Sequence, residues 1–208
     1  LGFVQVRRFG AGMKSLFGGF SLNGKAAGKD GMSSFQALTT AVAAVAAHEL
    51  GVSDVQIVSG LRSAGWPGRL ERLQARGRTW LLDGAHNPAG AVALRSALAE
   101  LGARPALLVL GLTDDKDSGG IVTALAGLAP QVLATRSLLS PRAVAPEQLL
   151  PQLPPLSQAV PSPEEALDVA VSRTQPGELI VVAGSLYLLG EVRPLLSGQR
   201  PGGFERWQ

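Results

Sequence analysis

Two short runs constrain this chain more than anything else in it: Leu107-Leu108-Val109-Leu110 and Leu179-Ile180-Val181-Val182. Side chains alternate between the two faces of a strand, so a strand-length run without a polar position needs apolar cover on both faces. A half-wet antiparallel sheet would alternate polar and apolar residues instead. The surrounding segments supply the cover. From Pro67 onward the pattern repeats strand, turn, helix. Strands are expected over 79–83, 105–111, 131–135, 158–160 and 178–183. Helices are expected over 88–101, 118–128, 146–150, 163–173 and 186–196. Such alternation predicts an α/β fold: an open, mostly parallel, Rossmann-like sheet flanked by helices.

The chain before Pro67 has another rhythm. Residues 1–9 and 15–22 read as strands, and the alanine-rich 33–50 as a helix opened by Ser33 or Ser34 and stopped at Gly51. A shorter helix is expected over 53–63. Between the two strands, Gly10-Ala11-Gly12-Met13-Lys14-Ser15 invites comparison with a phosphate-binding loop, but the lysine does not follow the second glycine and the spacing fails. A hairpin connection is the better reading. Gly65-Trp66-Pro67-Gly68 breaks the helical pattern and is the expected boundary, dividing the chain into 1–64, 65–196 and a loose tail, 197–208.

Composition narrows the function classes. With 46% apolar residues in 208, there is enough for one core and part of another. Cysteine is absent, which excludes disulfides and thiolate zinc sites, and two histidines cannot build a histidine-rich metal cage. A net charge of +3 with 5% aromatics is a weak footprint for nucleic acid. Five arginines between Arg62 and Arg78 form either solvated surface or a patch facing a small anion such as a nucleotide. No signal pattern or membrane-length apolar run is visible, so a cytoplasmic protein with small-molecule partners is expected, contacting neither nucleic acid nor membrane. The first residue is Leu1, and a piece of a longer protein is expected.

Ligands of open α/β sheets bind beyond the carboxyl ends of the strands. Three expected strand ends are polar: Asp83-Gly84-Ala85-His86-Asn87, Gly111 to Asp117, and Gly184-Ser185. Asp83, acceptor-only when ionised, suits a ribose hydroxyl or a cation. His86 suits a phosphate or carboxylate at the start of the next helix. Alternatively, Asp83 and Asn87 merely cap that helix, with Pro88 in its first turn. Such capping accounts for Asn87-Pro88 and leaves His86 unexplained. Lys116 is either part of a solvated loop of paired charges or an anion contact, and Ser185 either a helix cap or part of a carboxylate site.

"GWPGRLE" (65–71), "DGAHNPAG" (83–90), "DKD" (115–117) and "GSLYLLGEVR" (184–193) stand in this order at fitting distances. Together they resemble the C-terminal half of folylpolyglutamate synthase/dihydrofolate synthase, in the Mur ligase superfamily. The resemblance implies an ATP-dependent ligase: a dihydropteroate or folate carboxylate is activated as an acyl phosphate, and the amine of L-glutamate attacks it. Arg69 would then contact the ATP phosphates and Asp83 the ribose, with Asn87 beside the cofactor. His86 would sit near the transferred phosphate and incoming glutamate, and Lys116 and Ser185 would face the glutamate or acyl phosphate. The same resemblance makes 1–64 a partial central ATPase-domain segment, and implies a full-length monomer whose Mg2+ ligands and P-loop precede this segment. Where that family has glutamine-x-x-asparagine, this chain has Gln36-Ala37-Leu38-Thr39. Alone, the chain is expected not to hydrolyse ATP. Two alternatives stand beside this reading: a stand-alone nucleotide- or glutamate-binding module, and part of a Mur-type peptidoglycan ligase.

Overall fold

The computed structural model describes residues 34–63 and 66–198. The two expected N-terminal strands, the glycine–lysine loop between them and the tail from 199 onward lie outside the described residues. By its internal contacts the chain divides into two compact units, Leu1–Ala64 and Gly65–Gln208.

In the first unit, helix α1 (Ser34–Glu49) is followed by α2 (Asp54–Ser63). Gly51, at φ 84, makes the reversal between them in a left-handed conformation that a side chain would resist. Ser53 and Gln56 form a capping box: the Gln56 amide donates to Ser53 Oγ, and Gln56 Oε1 accepts from the Ser53 amide.

The second unit is a six-stranded sheet in the order β1-β2-β6-β3-β4-β5. Its strands are β1 (Glu71–Ala75), β2 (Arg78–Asp83), β3 (Leu107–Leu110), β4 (Val132–Ala134), β5 (Gln158–Ala159) and β6 (Leu179–Ala183). Every pairing is parallel except β1 with β2. The helices are α3 (Pro88–Glu100), α4 (Ser118–Leu125), α5 (Pro163–Ser172) and α6 (Leu186–Ser197). The apolar runs behave as their composition requires. Leu81, Leu108, Leu110 and Val181 pack with α3 and α4 on one face. Trp80, Leu82, Leu107, Val109, Ile180 and Val182 pack with α5 and α6 on the other. Burying one such leucine or valine stabilises the fold by roughly 1.5–3 kcal/mol, and β3 contributes four in succession.

Two expectations need correction, and one strand went unread. Strand β1 was not anticipated: Glu-Arg-Leu-Gln-Ala carries too little apolar content to stand out, as befits an edge strand buried on one side only. It is joined to β2 by Arg76-Gly77, both at positive φ, the two-residue hairpin turn whose twist matches paired strands. Helix α4 ends at Leu125 rather than 128. There the Leu128 amide closes a tighter turn on Leu125, and Pro130 lies just beyond. The expected helix over 146–150 is instead two 3-10 turns, Pro146–Gln148 and Leu150–Gln152, because Pro151 has no amide with which to continue an α-helix.

The arginine cluster disperses on folding. Arg78 donates to the carbonyls of Val171 and Thr174 at the end of α5, and Arg76 pairs with Asp168. Arg69 lies against the turn that follows β2. Among the described residues, no helix is long and apolar enough to cross a membrane.

Candidate active site

Strand β6 lies between β2 and β3, and its exit takes the opposite route from theirs. The chain leaves β2 and β3 toward α3 and α4 on one face, and leaves β6 toward α6 on the other. Diverging connections open a crevice at the carboxyl ends of these strands, the usual ligand position in such sheets. Helices α3, α4 and α6 all start at this edge, so their free amides and positive dipole ends favour an anion there.

Glycines let the backbone close the crevice floor. Gly184 has φ 106, and a Cβ on it would stand 2.5 Å from the Gly111 carbonyl oxygen. A Cβ on Gly84 would meet Leu186 Cδ2 at 2.4 Å and Arg69 Nη1 at 3.3 Å. The Arg69 guanidinium therefore lies against the turn that follows β2. Arg69 reaches it from a turn in which its amide donates to the Trp66 carbonyl, with Pro67 and Gly68 (φ 71) at the centre. Proline followed by a positive-φ glycine is the type II pattern.

Asp83 sits on the last position of β2, only 7% exposed. Its Oδ2 accepts the Leu70 amide at 2.9 Å. Burial pushes its carboxyl pKa up, against the opposing pull of the Leu70 amide, Arg69, the Ala85 amide and His86. His86 is half-buried, with Nδ1 2.7 Å from the Gly84 carbonyl. A carbonyl can only accept, so Nδ1 carries the proton and Nε2 is left for other chemistry. Arg69, Asp83 and His86 thus form one electrostatic cluster.

Lys116 belongs to a second cluster, beyond β3. Its Nζ lies 2.8 Å from Asp115 Oδ2, and Arg142 Nη1 lies 3.2 Å from the same oxygen. The Asp115 carboxyl falls to about 2, chiefly through the hydrogen bonds from Lys116 and Thr113. Arg142 was invisible to sequence reasoning. An antiparallel bridge between Thr113 and Ala143, with the Asp114 amide on the Arg142 carbonyl, brings it there, and no local spacing announces such a contact.

The two remaining candidates perform capping tasks. Asn87 Oδ1 accepts the Gly90 amide at 2.7 Å, and Ser185 Oγ accepts the Tyr187 amide at 3.2 Å. Ser185 lies between the two clusters in strand order and is 3% exposed. Among the described residues, no three His, Asp or Glu side chains stand together in a group that could hold a metal ion.

Sequence reasoning also passed over Glu71 and Arg193, the final residues of two quoted motifs. Glu71, Leu73 and Ala75 share the face of β1 that packs toward α6. There the Glu71 carboxylate receives Arg193 Nε at 2.9 and 3.2 Å, and Glu71 Oε2 accepts the Gly68 amide at 2.8 Å.

Residues 68–186, more than half the chain, match the Mur ligase, glutamate ligase domain family. The folylpolyglutamate synthase of Lacticaseibacillus casei is 34% identical over 142 residues, covering 68% of this chain and 32% of that enzyme. The structure of E. coli FolC in complex with DHPP and ADP superposes with TM-score 0.67 at 28% identity, over 76% of this chain and 38% of that one. The Yersinia pestis bifunctional folylpolyglutamate synthase/dihydrofolate synthase, complexed with AMPPNP and Mn, gives 0.66 at 26% identity, over 86% and 42%. The chain thus spans about a third to two fifths of the length of these relatives. It belongs to the Mur ligase glutamate ligase domain family, where its relatives are folylpolyglutamate and dihydrofolate synthases.

Proposed function

We propose that this chain is the C-terminal portion of an ATP-dependent ligase that adds L-glutamate to dihydropteroate, folate or both through an acyl phosphate. The observation that carries the reading is the Arg69–Asp83–His86 cluster at the β2 exit, in a family domain whose solved relatives hold ADP and DHPP. Arg69 binds the nucleotide phosphates beside Gly84. Asp83 engages the ribose while anchoring the Leu70 amide, and Asn87 stands beside the cofactor as it caps α3. His86, its Nδ1 proton held by Gly84, presents Nε2 to the transferred phosphate and the incoming glutamate. Lys116 and Ser185 face the glutamate or acyl phosphate from the β3 and β6 exits. Fixed charges converging on one crevice suit a reaction governed by positioning and charge stabilisation.

On this reading residues 65–196 are the glutamate- and nucleotide-binding domain, and 1–64 belong to the central ATP-binding domain. The 208 residues then supply one wall of the site and do not turn over ATP alone. Mg2+ is held by the other wall. Ligase assays on the longer protein that carries this segment, with dihydropteroate and with folate as acceptors, test the reaction; glutamate-independent use of both would overturn it. In that protein His86→Ala should lower kcat by about 10²–10³-fold while shifting the thermal midpoint little. Equal losses of turnover and stability would make His86 a structural residue.

A further inference from the structure

We propose that Glu71 and Arg193 are positioning residues for Arg69: their ion pair holds the 68–70 turn in the backbone conformation that delivers the guanidinium to the strand-end crevice. The proposal rests on the reading of Arg69 as a phosphate contact. It grows from how unfavourable the turn is on its own. Leu70 has φ 46, a left-handed conformation costly for a branched side chain. Gly68, two residues earlier, is also left-handed, and a Cβ there would meet Leu189 of α6 at 2.9 Å. Arg69 lies between them. Such a backbone persists only where its surroundings over-determine it.

Three tethers do so. The Gly84 amide donates to the Gly68 carbonyl at 2.7 Å, and the Leu70 amide to Asp83 at 2.9 Å, fixing the turn to β2. The third tether is Glu71. One carboxylate takes the Gly68 amide and, through two oxygens, Arg193 of α6. Its side chain is 15% exposed and that of Arg193 38%, so water reaches the pair from the arginine side while the carboxylate is largely covered. The hydrogen bonds of Glu71 run to Gly68 and Arg193. Glu71 acts through the turn, which it joins to α6, the helix that begins at the β6 exit. A surface ion pair would need no backbone amide on the same carboxylate.

The test uses the longer protein that carries this segment, with ADP as probe titrated by calorimetry, together with hydrogen exchange of the Gly68 and Leu70 amides. Arg69→Ala examines the phosphate reading, and Glu71→Gln the clamp. The expected outcome is a loss of ADP affinity on the order of tenfold in Glu71→Gln, like that of a lost charged hydrogen bond. Both amides should exchange faster. The paired reversal Glu71→Lys with Arg193→Glu should recover the thermal midpoint but not the affinity, because a lysine cannot accept the Gly68 amide. Unchanged affinity in Arg69→Ala would sink the phosphate reading. Weakened Arg69→Ala with unchanged affinity and exchange in Glu71→Gln would sink the clamp alone, as would full recovery of affinity in the charge reversal.

Discussion

Along strands β2, β6 and β3, the interior and the carboxyl edge obey opposite rules within one or two residues. Leu82, Val182 and Val109 are fully buried, apolar and packed between helices. One or two steps on, Asp83, Gly184 and Gly111 hold a polar group or bare backbone, with the Leu70 amide bound to the Asp83 carboxylate. The interior is specified by volume and is almost wholly apolar. The edge is specified by backbone conformation and charge, and its geometry depends on groups far apart in the chain. Stability therefore concentrates in the first region and chemistry in the second.

Substitutions can sharpen or break that contrast. Leu108→Ala, at a side chain with no exposure, should lower unfolding free energy by about 3–4 kcal/mol in a urea titration, as for other buried leucines. A loss below about 1 kcal/mol would mean the interior is less tightly packed than its burial implies. Gly184→Ala places a methyl 2.5 Å from the Gly111 carbonyl at φ 106. It should destabilise by roughly 2 kcal/mol and distort the Ser185 start of α6, visible as shifted Ser185 and Gly111 amides in NMR spectra. Unaltered spectra would show the edge to be more pliable than argued.

The smallest effect separates two carboxylates on the same edge by sign. The folded pKa of Asp83 is raised by burial, so the native state holds its proton more tightly than the unfolded chain does. Stability from this group is greatest below the unfolded value near 3.8 and declines as pH climbs through the raised folded value. Asp115 is lowered to about 2, so its contribution is complete above 3.8 and is lost as pH falls toward 2. Relative to wild type, Asp83→Asn should gain stability as pH rises from 4 to 7, whereas Asp115→Asn should gain as pH falls from 4 to 2. Urea midpoints across that range check both; slopes of the same sign would contradict the assigned environments.

Much of this architecture is legible in the residue order. The buried parallel strands follow from unbroken apolar runs, and the starts of α3 and α6 from Asn87-Pro88 and Ser185, whose side chains cap those helices; Asp117 caps α4 without having been read as a cap. Strand β1 escaped because its five residues offer a one-sided, charge-rich pattern that solvated surface would also show. Asp83, His86 and Arg69 were visible as candidates through motif and strand-end position. Their coupling was not visible: the Leu70 amide lies thirteen residues from Asp83 and meets it only through the β1–β2 hairpin.

The sequence alone therefore determined the local chemistry of this protein: which segments must be buried on two faces, where helices begin, and which polar residues stand at strand ends. These are short-range properties, set by side-chain volume, alternation and capping. Tertiary structure alone decided the partnerships, Glu71 with Arg193 across 122 positions and Asp115 with Arg142. Such pairs depend on which elements the sheet order brings side by side. That order arises because β6 enters between β2 and β3, where a doubly covered strand buries the most apolar surface.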